Sequence, residues 1–230
     1  MYEEIKKLNS DEAKKLLLAF LLTDGDVRKI GTRKKIQTTF NGKDKCLHDL
    51  FVETMKKAFN RKPSAYLYKG KRCLRTTFEF SSNSTEIAEM FKLSPSFAMK
   101  RGYPTLKAIL KGTKNLKIMS LRIAFSADGN VSVSNRKPRL RLGCSNPNLA
   151  KEWQKLAAEL KIDMNISKDK NTWSGIQGLT TDKKNNLKKF LECGGFAPGC
   201  KAYKSKRFHL WEKNKILIHI LDNPCSLGGL

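Results

Sequence analysis

The chain has 230 residues, 46 of them Lys or Arg against 21 Asp or Glu, giving a formal charge of +25. With 40% hydrophobic residues it can bury a core, which excludes a disordered tail. So large a positive excess needs a polyanionic partner, and the longest apolar run, Leu16 to Leu22, is too short to cross a bilayer, so nucleic acid is favoured over a membrane surface.

The first helix is expected to start at Ser10, a capping residue, with Asp11 and Glu12 suited to its positive first turn. From Ala13 to Leu22 it is apolar on nearly every face, the pattern of a helix buried on most sides. Asp26 to Ile30 and Arg33 to Phe40 read as strands, the second alternating Ile36, Thr38 and Phe40 with Lys35, Gln37 and Thr39. Asp44 to Phe59 reads as an amphipathic helix with Leu47, Leu50, Phe51, Met55 and Phe59 on one side. Ala65 to Lys69 and Cys73 to Phe80 form an expected hairpin around Lys69-Gly70-Lys71, and Thr85 to Leu93 and Thr105 to Lys111 are expected helices.

The second half repeats this order. Lys117 to Ala127 reads as helix, Asn130 to Ser134 and Arg139 to Cys144 as strands, and Asn148 to Lys161 as helix with Leu149, Trp153, Leu156 and Leu160 inward. Met164 to Ser167 and Thr172 to Thr180 are weaker strands, the second interrupted by Gly175 and Gly178; Leu187 to Cys193 and Phe208 to Leu221 close the half as helices. Each half is therefore expected to run αββαββα, with domains at 1–113 and 114–230: an α+β fold of two antiparallel sheets related by a pseudo-twofold axis. The cysteines Cys46, Cys73, Cys144, Cys193, Cys200 and Cys225 form no C-x-x-C, and His48, His209 and His219 stand at no zinc-ligand spacing from them, which points to free thiols in a reducing compartment.

Two apolar helical runs close on Asp-Gly: Leu17-Leu18-Ala19-Phe20-Leu21-Leu22-Thr23-Asp24-Gly25 and Leu121-Arg122-Ile123-Ala124-Phe125-Ser126-Ala127-Asp128-Gly129, their aspartates 104 residues apart. A helix often ends at Gly for conformational reasons, but Asp is a poor choice where the helix dipole is negative. Two copies at equivalent places point to function. A carboxylate beside free backbone carbonyls offers the hard oxygens that Mg²⁺ prefers. Two such ends under basic strands could hold a phosphodiester over divalent ions that activate water and stabilise the leaving oxygen. Ala19, Thr23, Ala124 and Ala127 would let the two helices approach closely.

The paired motifs, the duplication and the basic sheets resemble the LAGLIDADG homing endonucleases in their single-chain, two-motif form. Leu22 and Ser126 stand where that family often has its first Asp, and Ile123 where a Gly or Ala is usual. The resemblance implies a site-specific endonuclease making a metal-dependent double-strand break in a long, asymmetric DNA target. It implies that Asp24 and Asp128 bind Mg²⁺ (or Mn²⁺) and that each sheet saddles the major groove of double-stranded DNA. It also implies a lysine near the end of each half; Lys100 and Lys206, at 76 and 78 residues from their motifs and each followed by Arg, fit that role. A polar residue after the second strand to hold water would be Asn41 in the first half and Ser145 or Asn146 in the second.

Candidate DNA-reading residues are Arg28, Arg33, Lys35, Gln37, Thr39, Tyr66, Tyr68, Arg72, Arg75 and Thr77 in the first half, and Ser132, Ser134, Arg136, Arg139, Arg141, Lys168, Asn171 and Gln177 in the second. Arg and Lys suit guanine and phosphate, Gln and Asn adenine. With both halves on one chain, a monomer should suffice. The alternative is a non-cleaving nucleic-acid-binding protein on the same scaffold, an RNA maturase or a DNA-binding regulator. The acidic start and the lack of an intein-type His-Asn end lead to the expectation of an intron-encoded or free-standing protein in a prokaryotic cytoplasm or organelle matrix.

Overall fold

The computed structural model describes residues 1–30, 35–60, 66–69, 74–79, 86, 104–134, 137–203 and 205–223, with backbone alone for 28–30, 35–36, 66–69 and 78–79. The chain divides into two compact units, Met1–Ser120 and Leu121–Leu230.

In the first unit a short helix, α1 (Tyr2–Lys7), precedes α2 (Ser10–Leu21). The cap of α2 is Asn9, not Ser10. Asn9 accepts from Glu12 N at 2.9 Å while its own N–H reaches back to Glu12 at 3.4 Å, a capping box that requires the acid three residues on. Ser10 is the first helical residue, and its hydroxyl instead ties α2 to the far end of α3 through Ala58 O at 2.6 Å.

Strands β1 (Gly25–Ile30) and β2 (Lys35–Gly42) follow, then α3 (Lys45–Phe59), β3 (Tyr66–Lys69) and β4 (Leu74–Glu79). They form an antiparallel sheet in the order β1-β2-β4-β3. Asn60, left-handed at φ 48°, stops α3. Thr38, Phe40 and Thr76 face the core, where Phe40 meets Phe20 of α2 and Phe51 of α3 with ring centroids at 5.4 Å each, and Phe20 meets Phe51 at 5.5 Å. Burial of each ring contributes about 1.5–3 kcal/mol, and edge-to-face contact adds to it. A single turn of helix, α4 (Lys107–Leu110), ends the first half. The expected helix over Thr85 to Leu93 lies, Glu86 apart, outside the described residues.

Helix α5 (Lys114–Asp128) runs from the end of the first unit into the second. Then come β5 (Gly129–Ser134), β6 (Lys137–Gly143), α6 (Pro147–Glu159), β7 (Asn165–Lys168), β8 (Ile176–Thr181), α7 (Lys184–Glu192) and α8 (Lys213–Asp222). The sheet order, β5-β6-β8-β7, repeats that of the first unit. Phe125, Phe190 and Phe196 fill the core, with Phe125 and Phe190 centroids 4.7 Å apart.

Two expectations are corrected here. Residues Thr172 to Gly175 are not strand: Asp169 caps the Asn171 N–H at 2.9 Å and Gly175 turns at φ 70°, so a closed loop precedes β8. Phe208 to Glu212 is not helix: Lys201 bridges Glu212, and Leu210 is left-handed at φ 62°, which delays α8 to Lys213.

The glycines of the two motifs have one shared cause. Gly25 and Gly129 lie outside the positive-φ set, so neither is a left-handed helix stop. Each begins a strand pressed against the last turn of its helix. A Cβ at Gly25 would lie 2.6 Å from Leu21 Cα, and one at Gly129 2.7 Å from Phe125 Cα. Glycine here allows backbone to touch backbone.

Candidate carboxylate centres and nucleic-acid interface

Each motif helix delivers its aspartate to the point where the first strand of its sheet begins. Asp24 is half-buried in the turn after α2; Asp128 is the exposed last residue of α5. Hydroxyls complete both last turns. Thr23 donates to Ala19 O and Phe20 O at 3.0 and 3.1 Å, and Ser126 donates to Arg122 O at 2.6 Å.

Around Asp24 the neighbours come from β2 and β4. Asn41 donates its backbone N–H to Asp24 O at 2.9 Å and its side-chain amide to the same oxygen at 3.4 Å. Arg75 Nε donates to Asn41 Oδ1 at 2.8 Å. A Cβ at Gly42 would stand 3.8 Å from Asp24 Oδ2, so the carboxylate lies over the end of β2. Beneath it, buried His48 bridges Thr76 Oγ1 at 2.7 Å and Gly42 O at 3.2 Å, and desolvation lowers its pKa below the ordinary imidazole value.

Around Asp128 the neighbours differ. A Cβ at Gly143 would stand 4.0 Å from Asp128 Cβ. Burial, aided by the Asp128 charge, pushes the Cys144 thiol up to about 11, so it stays protonated at neutral pH. The lysine that touches this motif is Lys213, which the sequence did not single out. It is buried, and its Nζ donates to Ser126 O at 2.7 Å and Gly129 O at 2.8 Å, while lying 5.4 Å from the Phe196 ring centre. A buried ammonium at a helix C-terminus answers the negative dipole end. Lys206 is exposed on the segment leading to α8, and Lys100 lies outside the described residues.

Several candidate readers with described side chains lie on the sheet faces turned away from the cores. On β6, exposed Arg139 and half-buried Arg141 alternate with buried Pro138, Leu140 and Leu142. Ser132 lies opposite Arg139, and Ser134 opposite Lys137. Arg141 faces Asp169, whose charge partly offsets the lowering of the guanidinium pKa by burial. Lys168 and Asn171 are exposed. Gln177 is the extra residue of a bulge between β7 and β8, and its amide is held by Asp169 Oδ2 at 3.2 Å.

On the first sheet, Gln37 and Arg75 are half-buried, while Thr39 and Thr77 are buried. Directly opposed on β2 and β4, Thr39 and Thr77 are only 1% and 6% exposed at the centre of the sheet. Arg28 pairs with Gln37, Tyr66 with Thr77 and Tyr68 with Arg75; Lys35 pairs with Ile30. Arg33, Arg72 and Arg136 lie outside the described residues.

The equivalence expected for Asn41 is also corrected. Gly25 pairs with Phe40 and Gly129 with Leu142, so the counterpart of Asn41 is Gly143, not Ser145 or Asn146. Asn146 is spent capping α6 through the N–H groups of Asn148 and Leu149 at 3.1 Å each. Ser145 accepts from Trp173 Nε1 at 3.2 Å.

Residues 115–193 match the family model of the LAGLIDADG-like domain. The fold of the whole chain is that of LAGLIDADG structures. I-DmoI, solved in complex with DNA and calcium, matches at 18% identity and a TM-score of 0.61 over 92% of this chain and 100% of its own. The homing endonuclease I-WcaI, bound to its DNA recognition sequence, matches at 17% identity and 0.53 over 86% and 88%. The N-terminal LAGLIDADG domain of DUF199/WhiA matches at 16% identity and 0.52 over 84% and 86%. No curated protein matches the sequence significantly.

Among the described residues, no cluster of three or more His, Cys, Asp or Glu forms a cage for a metal ion. Each motif helix end offers one hard carboxylate, Asp24 or Asp128. That fits a cation such as Mg²⁺, which takes one or two carboxylates and fills its shell with water and phosphate, and does not fit a closed structural site. No helix among the described residues is long and apolar enough to cross a membrane.

Proposed function

We propose that this LAGLIDADG chain is a site-specific, metal-dependent DNA endonuclease that cuts both strands of a long, asymmetric duplex. The observation that carries the reading is the repeated placement of a single carboxylate: Asp24 and Asp128 each stand at a helix end, at the mouth of a sheet whose outer face carries basic and polar side chains. In this reading Lys35, Arg75, Arg139 and Arg141 hold phosphates and base edges, and Asn41 orients water beside Asp24. Lys100 and Lys206 serve the two scissile phosphates, and one chain with both halves acts as a monomer. The halves change over at residue 113/114.

Asp24 and Asp128 would hold the divalent ions, Mg²⁺ or Mn²⁺. A bound ion supplies a Lewis acid that favours deprotonated water at neutral pH. The chain does the rest. The helix C-termini add negative potential to each carboxylate, and the +25 charge draws the duplex onto the sheets.

Asp24→Asn and Asp128→Asn test this directly. Each is expected to reduce cleavage in Mg²⁺ by at least about 100-fold while leaving DNA affinity within a few-fold, since Asn keeps the shape and loses the charge. Normal cutting by either variant would remove the carboxylate from the chemistry. A wild-type protein that binds duplex but never cuts it in Mg²⁺ would favour the non-cleaving alternative.

A further inference from the structure

The loop between β7 and β8 sets an aromatic ring on the outer face of the second sheet. On β6, Arg139 and Arg141 point away from the core, and Leu140 and Leu142 into it. The pairing runs one residue past the strand, where Cys144 N donates to Gln177 O at 3.1 Å. The alternation therefore carries on, and Ser145 falls on the side of the two arginines. Trp173 is fastened to that serine: its indole Nε1 donates to Ser145 Oγ at 3.2 Å, while the residue stays 52% exposed.

The loop holds the ring from both sides. Asp169 Oδ1 accepts from Asn171 N at 2.9 Å and Oδ2 from Gln177 Nε2 at 3.2 Å, and Asp169 N donates to Gly175 O at 2.9 Å. Thr172 Oγ1 lies 2.9 Å from Asp169 O and 3.0 Å from Ile176 O. Ser174 Oγ donates to Ser145 O, next to the anchor of the indole. A loop tied down in this way has already given up conformational freedom that binding would otherwise cost.

The surroundings and the ring chemistry together select a partner. Arg139 on the same face is exposed, as are Lys168 and Lys170 at the loop, while Asp169 faces Arg141 and each of its oxygens already accepts a hydrogen bond. Such a surface takes a polyanion. The indole N–H is engaged by Ser145, so Trp173 presents an apolar ring rather than a donor. In the major groove the apolar group on a base edge is the C5 methyl of thymine. Stacking on a base would first require taking it out of the duplex, against its pairing and stacking.

Resting on the duplex-binding part of the reading above, we infer that Trp173 packs on the methyl group of one thymine in the part of the target that the second sheet reads. The contact adds preference at that base pair, and Ser145 is its positioning residue.

Wild type and Trp173→Ala are each used to select duplexes from a randomised library by binding in Ca²⁺, and the selected duplexes are sequenced. The wild type is expected to enrich thymine at one position where the variant does not, with the remaining preferences shared. Affinity is then measured on the selected duplex and on one with that thymine replaced by deoxyuridine, which lacks only the methyl. The replacement should weaken wild-type binding about fourfold, the worth of one buried methyl group. It should weaken Trp173→Ala binding by less than about 1.5-fold, a difference that isolates the contact. Ser145→Ala, which frees the ring, should fall between. With cytosine at the same position, 5-methylation should strengthen wild-type binding about fourfold. If Trp173→Ala fails to fold, Trp173→Gln keeps a donor for Ser145 and carries the same expectation. A uniform loss of affinity in the variant with every base preference kept would place the ring on the sugar–phosphate backbone. Deoxyuridine effects equal in the two proteins, or a variant that selects and binds as the wild type does, would remove the ring from the base edge. Each of these overturns the thymine contact and leaves the endonuclease reading standing. A wild type that shows the thymine contact yet never cuts its selected duplex in Mg²⁺ overturns the endonuclease reading alone, and one that selects no duplex overturns both.

Discussion

Lys213 offers the sharpest test of how the second motif is held. The residue is 7% exposed, and its ammonium makes two hydrogen bonds, to Ser126 O at 2.7 Å and Gly129 O at 2.8 Å, that bracket Asp128. Lys213→Met keeps most of the aliphatic stem and deletes Nζ. Each bond to a charged donor is worth about 1.5–3 kcal/mol. Against that stands the desolvation of the ammonium, several kcal/mol, which Met never incurs. The variant nevertheless leaves two carbonyls unpaired at a buried helix end, so a net loss of about 2–4 kcal/mol is expected. For a unit of this size that corresponds to a fall in Tm of about 8–16 °C. All three tryptophans, Trp153, Trp173 and Trp211, belong to the second unit, so tryptophan fluorescence in urea reports its unfolding without signal from the first. Amide exchange should also accelerate at Ala127 to Asn130. A Lys213→Met protein within about 0.5 kcal/mol of wild type, with unchanged exchange there, would show that the ammonium's desolvation cancels its bonds.

Lowering the pH should weaken the first unit through His48. Burial holds its folded pKa below the unfolded value near 6.5, so the unfolded chain binds the extra proton. Stability from this source is present above that value and is lost as pH falls from about 6.5 toward the folded pKa; His48→Gln should flatten the acid limb of a Tm-against-pH curve. Cys144, held at about 11, should alkylate with iodoacetamide at pH 8 far more slowly than a free thiol, which peptide mass spectrometry resolves. Gly25→Ala and Gly129→Ala should each cost about 2 kcal/mol or more, because the new Cβ meets backbone rather than a movable side chain; urea melts that match wild type would show that the strand can shift away. Arg139→Ala should reduce the salt slope of DNA binding by about one if it meets phosphate, or relax preference at one base pair if it reads guanine.

The architecture was legible because the period of the apolar residues changes where the elements change. Thr38/Phe40 and Leu140/Leu142 alternate on strands that each cover a core, and Leu47, Leu50, Phe51 and Met55 mark one stripe of α3. The misplacements have local causes. Asn9 outcompetes Ser10 as a cap because only Asn9 has an acid three residues on. The loop before β8 is set by the Asp169 side chain, which alternation does not register. The delayed start of α8 depends on the Lys201–Glu212 bridge, a pairing far from the helix in its own periodicity.

The candidate site divides along a different line. A residue type repeated at matching places, such as Asp24 and Asp128, is visible in one dimension; what surrounds it is set by strand pairing. A polar residue placed after the second strand pointed to Ser145 or Asn146 as the counterpart of Asn41, yet the register gives Gly143, because β6 ends at Gly143 and Asn146 already caps α6. Lys213 was hidden for the same reason: 85 residues separate it from Asp128, and only the path of α8 under β5 brings its ammonium to Ser126 O and Gly129 O. Duplication thus preserved the backbone positions of the two carboxylates and let their neighbours diverge. An arginine stands on β4, and a glycine stands where β8 crowds the end of β6. Repetition of the strand order carries no guarantee that the chemistry repeats, since each half answers to the local packing of its own strands.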